Sequence, residues 1–313
     1  MDAAAIPFRT VVIGGGSVGL LYAARLVLSG QSTTIVTRSS LQAEQLVQQG
    51  LLYRQLDGNK VLIQVDASPV EAGLPEADLY LVTVKQTDLP GLLPVLRKVP
   101  DHARVLALQN GMGHQELLAD TISEERCYYG INAEGARRIS AVEVEHTGSG
   151  ALRVGPWKER QEQDHVMVSF VEAARAAGIS ATYEQAIEPF AWRKLLANSL
   201  INPLTAIFEV PNGALLENSH TKQLMRELFE EAAAVAESCG QKMGESDWQE
   251  IGSICRNTSR NLSSMLQDVK RHRRTEVEAI NGYIVKKGIE AGIPTPLHKS
   301  LLRIILLKTS IGT

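Results

Sequence analysis

Short apolar runs alternate with helix-like stretches along the first 184 residues of the chain. Runs rich in β-branched residues predict buried strands, and apolar residues recurring every three or four positions predict helices. This alternation is typical of an α/β domain with a mostly parallel sheet. The predicted strands are 8–13, 32–37, 79–84, 104–108, 127–132 and 181–183, and the predicted helices are 20–28, 41–49 and 166–177.

Two further stretches have the pattern of antiparallel hairpins. Residues 51–65 alternate around Asp57-Gly58, a dipeptide typical of tight hairpin turns. Residues 142–146 and 151–154 flank a glycine-containing turn, so we expect these two segments to pair with each other.

From Pro189 onward every pattern is helical, which predicts a domain boundary near residue 184. The fold class is therefore α/β, with a mixed strand-and-helix domain at 1–184 and an all-helical domain at 185–313. Pro203 disfavours helical geometry at Asn202 and predicts a break or kink there. The other predicted helices are 221–238, 247–253, 259–285 with an interruption near Asn281-Gly282, and one that follows the turn at 291–296.

The first strand leads into Gly14-Gly15-Gly16-Ser17-Val18-Gly19, and a helix follows. A lone G-x-G-x-x-G is a weak signal, but strand, glycine turn and helix in this order form a dinucleotide-binding fingerprint. The motif predicts that residues 1–184 form a Rossmann-type dinucleotide-binding domain. Gly14 permits the tight turn, Gly16 lets backbone amides approach a pyrophosphate, and Gly19 lets the helix pack closely on the strand.

The second strand ends in Thr37-Arg38-Ser39-Ser40, without the acidic residue that reads a ribose diol in NAD enzymes. A guanidinium with neighbouring hydroxyls suits a 2′-phosphate, so Arg38 favours NADPH over NADH. Lys85 and Asn110 follow later strands, at the sheet edge where open α/β sheets bind ligands. Asn110-Gly111 used only as a turn is the competing interpretation.

Lys194, Asn198 and Asn202 lie at i, i+4 and i+8 of a predicted helix and therefore share one face. Apolar neighbours border this face. Burial would lower the pKa of the amine and let it exchange protons near neutrality. A helix that simply exposes this polar face to solvent is the alternative.

Composition narrows the function classes. The net charge of −3 gives no overall attraction to nucleic acid or an anionic membrane, and the basic run 270–274 predicts a solvated face.

The cysteines Cys127, Cys239 and Cys255 lack metal-ligand spacing, so we expect no metal site. Their odd number favours a reducing, cytoplasmic setting. The chain has no apolar run of membrane-spanning length and no signal-peptide pattern at its start. Apolar positions on the last helices leave a homodimer open.

Taken together, these motifs resemble the ketopantoate reductase (2-dehydropantoate 2-reductase) family over nearly the whole chain. The resemblance rests on several separated motifs in order, and the glycine loop alone would not carry it. These motifs include Gly14 to Gly19 with Arg38, Val84-Lys85, Asn110-Gly111, Ala136-Arg137-Arg138, Trp192-Arg193-Lys194 with Asn198, Asn202-Pro203-Leu204-Thr205, Pro211-Asn212-Gly213, Ser263 to Asp268 and Thr275 to Glu278.

The resemblance implies NADPH-dependent reduction of 2-dehydropantoate, a small 2-keto acid, with Lys194 as the proton donor. It implies a substrate held by Asn110, Asn198, Asn202, Asn212 and Ser264. It also implies a cofactor held by Gly14, Gly15, Gly16, Ser17, Val18, Gly19, Arg38, Lys85, Asn110, Ala136 and Glu276, so that both domains contribute to one site.

Three alternatives stay open at this stage. In the first, the enzyme reduces another 2-keto acid. In the second, the chain is an enzyme of the β-hydroxyacid dehydrogenase type. In the third, it binds NADPH without turnover. The motifs at 202–205 and 264–276 argue against the second alternative, and an intact Lys194, Asn198 and Glu276 argue against the third.

Overall fold

The structure is a computed structural model that describes residues 8–310. Within these residues the chain divides into two compact units. The first unit comprises residues 8–109 and 114–188, and the second comprises 110–113 and 189–310. The segment Asn110–Gly113 thus belongs with the helical unit, which the sequence analysis did not anticipate.

The first unit contains the predicted strands and helices, and two further strands and two further helices that were not predicted. The strands are β1 (Arg9–Ile13), β2 (Ser32–Thr37), β3 (Leu51–Arg54), β4 (Lys60–Ile63), β5 (Asp66–Pro69), β6 (Leu79–Val82), β7 (Arg104–Ala107), β8 (Cys127–Asn132), β9 (Gly135–Arg138), β10 (Glu143–Gly148), β11 (Ala151–Gly155) and β12 (Ser180–Tyr183). The helices are α1 (Ser17–Leu28), α2 (Ser40–Gln49), α3 (Leu89–Leu96), α4 (His114–Ala119) and α5 (His165–Ala176).

The main sheet has the strand order of a doubly wound fold. Its order is β12-β11-β8-β7-β6-β1-β2-β5, and the strands from β5 to β8 are parallel. From β1 the chain first adds β2 and β5 on one side and then β6 and β7 on the other. Open α/β sheets bind ligands at such a reversal point, beyond the carboxyl ends of the strands. Fully buried side chains such as Val12, Leu20 and Ile35 pack α1 against this sheet.

The predicted hairpin of residues 142–146 and 151–154 is wrong, whereas the hairpin around Asp57-Gly58 is confirmed as β3 and β4. Strand β10 pairs with β3 and β9 in a second sheet of order β4-β3-β10-β9. Strand β11 instead pairs antiparallel with β8 of the main sheet. Alternation and a glycine-rich turn do not specify which distant strand edge satisfies a strand's backbone groups.

His146, on β10, has a structural role and is not solvent-facing. Its ring Nε2 lies 2.5 Å from Glu134 Oε2, and its Nδ1 lies 3.4 Å from the Tyr53 hydroxyl. Arg25 lies 3.5 Å from the other oxygen of Glu134. Buried charges need such partners because water cannot solvate them.

Helices make up most of the second unit. They are α6 (Glu188–Phe208), α7 (Ser219–Ser238), α8 (Glu245–Asn257), α9 (Ser264–Lys270), α10 (Val277–Ala291) and α11 (Pro296–Ser310). Their buried faces carry apolar residues such as Leu200, Leu228 and Ile284. Within the part of the chain that the structure describes, no helix is long and apolar enough to span a bilayer.

The predicted break at Pro203 is wrong, because α6 continues through it to Phe208. Proline lacks the N–H that would bond the carbonyl four residues earlier, which is that of Ser199. That carbonyl instead accepts a hydrogen bond from the Asn281 side chain at 2.9 Å. A partner from another helix therefore offsets the hydrogen bond that Pro203 removes.

The predicted interruption near Asn281-Gly282 is also misplaced, because both residues lie inside α10. The helical path instead stops after Lys270 and resumes at Val277. His272 in this gap has a φ of 51°, a left-handed conformation that interrupts a right-handed helix.

The close packing of α1 on β1 yields a first testable expectation. A Cβ added at Gly19 would overlap the Gly14 carbonyl oxygen, whereas one added at Gly16 would have no atom within 4 Å. We expect Gly19→Ala to lower the free energy of unfolding by about 1–3 kcal/mol, the usual cost of overpacking. Urea denaturation, with Gly16→Ala as the matched control, measures this difference. Equal unfolding midpoints for Gly19→Ala and the unmutated chain would contradict it.

Candidate active site

The glycine loop leaves the first turn of α1 open to a ligand. Gly14 has a φ of +126°, which favours glycine, and Gly16 caps α1 without any side-chain hydrogen bond. No acidic residue lies in the first turn. Helix N-termini with free amides bind anions, so this arrangement suits a pyrophosphate.

Arg138 lies beside this loop, and the sequence analysis assigned it no role. Its guanidinium Nη1 donates to the Gly15 carbonyl at 3.0 Å, and its backbone N–H donates to the Ser17 hydroxyl at 3.0 Å. The Gln42 side chain donates to the same Gly15 carbonyl at 2.9 Å. The motif Ala136-Arg137-Arg138 was the available signal, but only strand pairing brings β9 to the loop. Ala136 itself is half-buried on β9, opposite His146.

Arg38 follows β2 and is 88% exposed. Its Nη1 lies 3.6 Å from an oxygen of Asp88, whose backbone N–H donates to the Lys85 carbonyl at 2.9 Å. The first unit thus brings Arg38 close to the segment that carries Lys85. Asp88, at the end of that segment, is an acidic neighbour of Arg38.

The second unit brings three of the predicted site residues into one hydrogen-bonded cluster. Lys194 Nζ donates to Asn110 Oδ1 at 2.9 Å, and Asn110 Nδ2 donates to Glu276 Oε2 at 3.2 Å. Asn110 thus bridges an amine on α6 to a carboxylate at the start of α10. We call Lys194, Asn110 and Glu276 the lysine cluster.

Gly111 holds Asn110 in this position. Its φ is +78°, and an added Cβ would collide with the Ala279 carbonyl on α10. The next residue, Met112, donates its backbone N–H to the same carbonyl at 2.9 Å. The Asn-Gly pair therefore serves both as a turn and as the point where this segment packs on α10.

The environment of Lys194 changes its proton affinity. Burial lowers the pKa of its amine to about 8, and the Glu276 carboxylate opposes that shift. Although the residue retains some exposed surface, the protein surrounds the amine itself. As expected from the sequence, the amine is still mostly protonated at neutral pH but loses its proton readily above it.

Asn198 and Asn202 continue the face of α6 that carries Lys194. Asn198 is half-buried, and Asn202 is 7% exposed. Among the described residues, neither side-chain amide has a hydrogen-bond partner, although the amides line the same helix face as the amine. Each amide carries donors and an acceptor that a ligand lying on this helix face can bind.

Asn212 and Ser264 are positioned by other parts of the helical unit. Asn212 Nδ2 donates to the Thr258 hydroxyl at 2.9 Å, and its Oδ1 is buried without a partner in the described chain. Ser264 is exposed as the first residue of α9. The hydroxyls of Ser263 and Thr205 lie 2.7 Å apart and tie the start of α9 to α6. Thr205 is a second residue to which the sequence analysis gave no role.

Comparison with known proteins matches both units to one family. The model described as "Ketopantoate reductase PanE/ApbA" matches residues 10–159, and "Ketopantoate reductase PanE/ApbA C terminal" matches residues 186–309. A 2-dehydropantoate 2-reductase of Archaeoglobus fulgidus is 34% identical over 95% of this chain and 96% of its own length. One from Bacillus subtilis is 34% identical over 90% and 91%.

Solved structures agree in fold. The probable 2-dehydropantoate 2-reductase panE of Bacillus subtilis superposes with a TM-score of 0.83 at 32% identity, over 96% of this chain and 99% of that one. A D-mandelate dehydrogenase with NADH and anilino(oxo)acetate gives a TM-score of 0.88 over 96% and 99%, but at 23% identity it shows the fold alone. The glycine loop, the lysine cluster and these matches over both units agree, and the chain belongs to the ketopantoate reductase family of oxidoreductases.

Proposed function

We propose that this chain reduces 2-dehydropantoate to pantoate with NADPH, a step of pantothenate biosynthesis. The observation that carries the proposal is the lysine cluster, in which an enclosed amine with a pKa of about 8 is held by Asn110 near a carboxylate. Relatives named 2-dehydropantoate 2-reductase, matched over nearly their whole length, support this choice of substrate.

The glycine loop suits the cofactor that this reaction requires. Gly16 leaves open space, the first turn of α1 lacks acidic residues, and Arg138 adds positive charge beside the loop. When bound, NADPH supplies the hydride that reduces the ketone. Gly14 to Gly19 would hold its pyrophosphate, Arg38 and Lys85 would hold its 2′-phosphate, and Ala136, Asn110 and Glu276 would line its remaining length.

Lys194 holds the proton that the reaction needs. As a C–H bond forms at the ketone carbon, the electron pair of the carbonyl bond moves to oxygen and negative charge develops there. The Lys194 ammonium donates its proton to this oxygen, so an N–H bond breaks and the O–H bond of the alcohol forms. Water then reprotonates the amine. Glu276 favours the ammonium form before the transfer, and Asn110 orients the amine.

The neutral side chains along α6 suit the rest of the substrate. 2-Dehydropantoate carries a carboxylate and a hydroxyl, and amides and hydroxyls bind both without adding a competing charge. We assign this role to Asn198, Asn202, Asn212 and Ser264. Asn202 shares a face of α6 with Lys194, and Asn212 Oδ1 is buried without a partner among the described residues, which supports both assignments.

An absorbance assay of NADPH oxidation tests the function directly. We expect turnover with 2-dehydropantoate to exceed turnover with 2-keto acids that lack its hydroxyl group. Faster turnover of another 2-keto acid would show that 2-dehydropantoate is not the preferred substrate. Binding of NADPH without any turnover would reject the proposed reaction.

Replacing Lys194 tests the proton donor. We expect Lys194→Ala to lower kcat by about 10² to 10⁴, the usual contribution of a positioned acid. Affinity for NADPH should be nearly unchanged, because the nucleotide motifs lie elsewhere in the chain. Lys299→Ala, which removes an exposed lysine, is the control for loss of charge. A near-normal kcat with weakened substrate binding would make Lys194 a binding residue only.

The pH dependence tests the state of the same amine. Because the ammonium donates the proton, kcat/KM for ketone reduction should fall as pH rises through about 8, the pKa of Lys194. The reverse oxidation needs the free amine and should rise over the same range. Glu276→Gln removes the charge that raises this pKa, so the alkaline decline should move to lower pH. Profiles that are flat across this range would contradict the assignment.

Replacing Arg38 tests the choice of coenzyme. We expect Arg38→Ala to raise the KM for NADPH about ten- to hundredfold, from the loss of a charge-assisted contact of about 1.5–3 kcal/mol. The KM for NADH should change little, and Arg97→Ala, at another exposed arginine, is the control. Asp88→Asn should favour NADPH, since Asp88 lies 3.6 Å from Arg38. Equal Michaelis constants for both coenzymes in the unmutated chain would reject the NADPH preference.

A further inference from the structure

Pro203 leaves a backbone carbonyl in the middle of α6 without its helical partner. This carbonyl belongs to Ser199, a fully buried residue between Asn198 and Asn202 on the helix. A buried carbonyl without a hydrogen bond is destabilising, so the helix needs a donor from elsewhere at this position.

Asn281 of α10 is that donor. Its side-chain Nδ2 lies 2.9 Å from the Ser199 carbonyl oxygen, and the residue is fully buried. Glu276 lies at the start of the same helix. A single side chain thus connects the helix that carries Lys194 to the helix that begins at Glu276.

His298 of α11 fixes the orientation of the Asn281 amide. Its Nε2 lies 3.0 Å from the Leu228 carbonyl, which only accepts, so Nε2 carries the proton and Nδ1 is an acceptor. Nδ1 lies 3.0 Å from Asn281 Nδ2. Burial lowers the pKa of His298 to about 4, so the ring stays neutral near physiological pH. The amide must therefore present its NH₂ group to both Ser199 and His298.

We propose that Asn281 is a positioning residue for Lys194. By donating to the carbonyl that Pro203 leaves open, it keeps the backbone of α6 at Ser199 undistorted, so that the Lys194 amine stays within reach of Asn110 and Glu276. The inference rests on the proposed role of Lys194 as proton donor.

The geometry supports a role beyond stability. Ser199 follows Lys194 by five residues, and Asn281 follows Glu276 by five. At a rise of about 1.5 Å per residue, the Asn281 bond lies roughly 7.5 Å along each helix from the backbone positions of Lys194 and Glu276. A shift of about 1 Å at a reacting group can lower a rate about a hundredfold. Loss of this bond therefore acts on the lysine cluster.

A double-mutant cycle with Pro203 isolates the Ser199 bond. Asn281→Leu removes the donor and keeps most of the volume, whereas Pro203→Ala restores a backbone N–H for the Ser199 carbonyl. We expect Asn281→Leu to lower kcat about ten- to hundredfold in the native background, but only a few-fold together with Pro203→Ala. The lost contact to His298 is common to both backgrounds and cancels in the comparison.

The pH profile separates positioning from general destabilisation. Burial lowers the pKa of Lys194 and the Glu276 carboxylate raises it. A Lys194 amine that stays buried but moves away from Glu276 should therefore titrate at lower pH. We expect the alkaline decline of ketone reduction to move to lower pH in Asn281→Leu and to return when Pro203→Ala is added. Asn218→Ala, which removes the cap of α7, is the matched control. It should lower the melting temperature and leave the decline in place.

A measurement without substrate keeps this test independent of the proposed reaction. The pH dependence with which a small amine-reactive reagent labels Lys194, followed by mass spectrometry, reports the same titration. If the unmutated chain reduces no 2-keto acid, the proposed function fails while the labelling shift still tests Asn281. Asn281→Ser provides a second variant in case Asn281→Leu does not fold. An unshifted titration in the folded variant, or an equal kcat loss in both Pro203 backgrounds, would overturn the proposal.

Discussion

The enclosed amine of Lys194 is the constraint on which the helical unit depends. Burial lowers the pKa of this amine and the Glu276 carboxylate raises it. The two effects oppose each other and leave a pKa of about 8, near the pH at which we propose that the amine donates a proton. Asn110 completes the arrangement, because its amide accepts from the amine and donates to the carboxylate.

This balance requires three chain segments far apart in sequence to meet within hydrogen-bond distance. Gly111 permits the approach of Asn110 to α10, since any side chain there would collide with Ala279. The Ser199 carbonyl, left open by Pro203, accepts from Asn281 and so connects α6 to α10. An irregularity that would normally weaken a helix thus becomes a specific contact between two helices that carry the candidate site.

The nucleotide-binding unit follows a different constraint. Its backbone amides at the start of α1, rather than side chains, must stay accessible to a ligand. The α1 N-terminus stays open because Gly16 offers no capping side chain and Gly19 lets the helix lie against the Gly14 carbonyl. Arg138 and Gln42 bind the Gly15 carbonyl from neighbouring elements and support the loop. Arg38 lies 3.6 Å from Asp88, near Lys85, at the end of the unit where we propose that the 2′-phosphate binds.

The sequence by itself determined what depends on neighbours along the chain. The strand, glycine turn and helix at residues 9–28 and the spacing of Lys194, Asn198 and Asn202 follow from local periodicity, and the structure has both. Only the tertiary structure decided the partners of β10 and β11, the continuity of α6 through Pro203, the burial of His146 against Glu134 and the placement of Asn110 in the second unit. Each of these depends on which distant polar group satisfies a buried one, and periodicity contains no information about that choice.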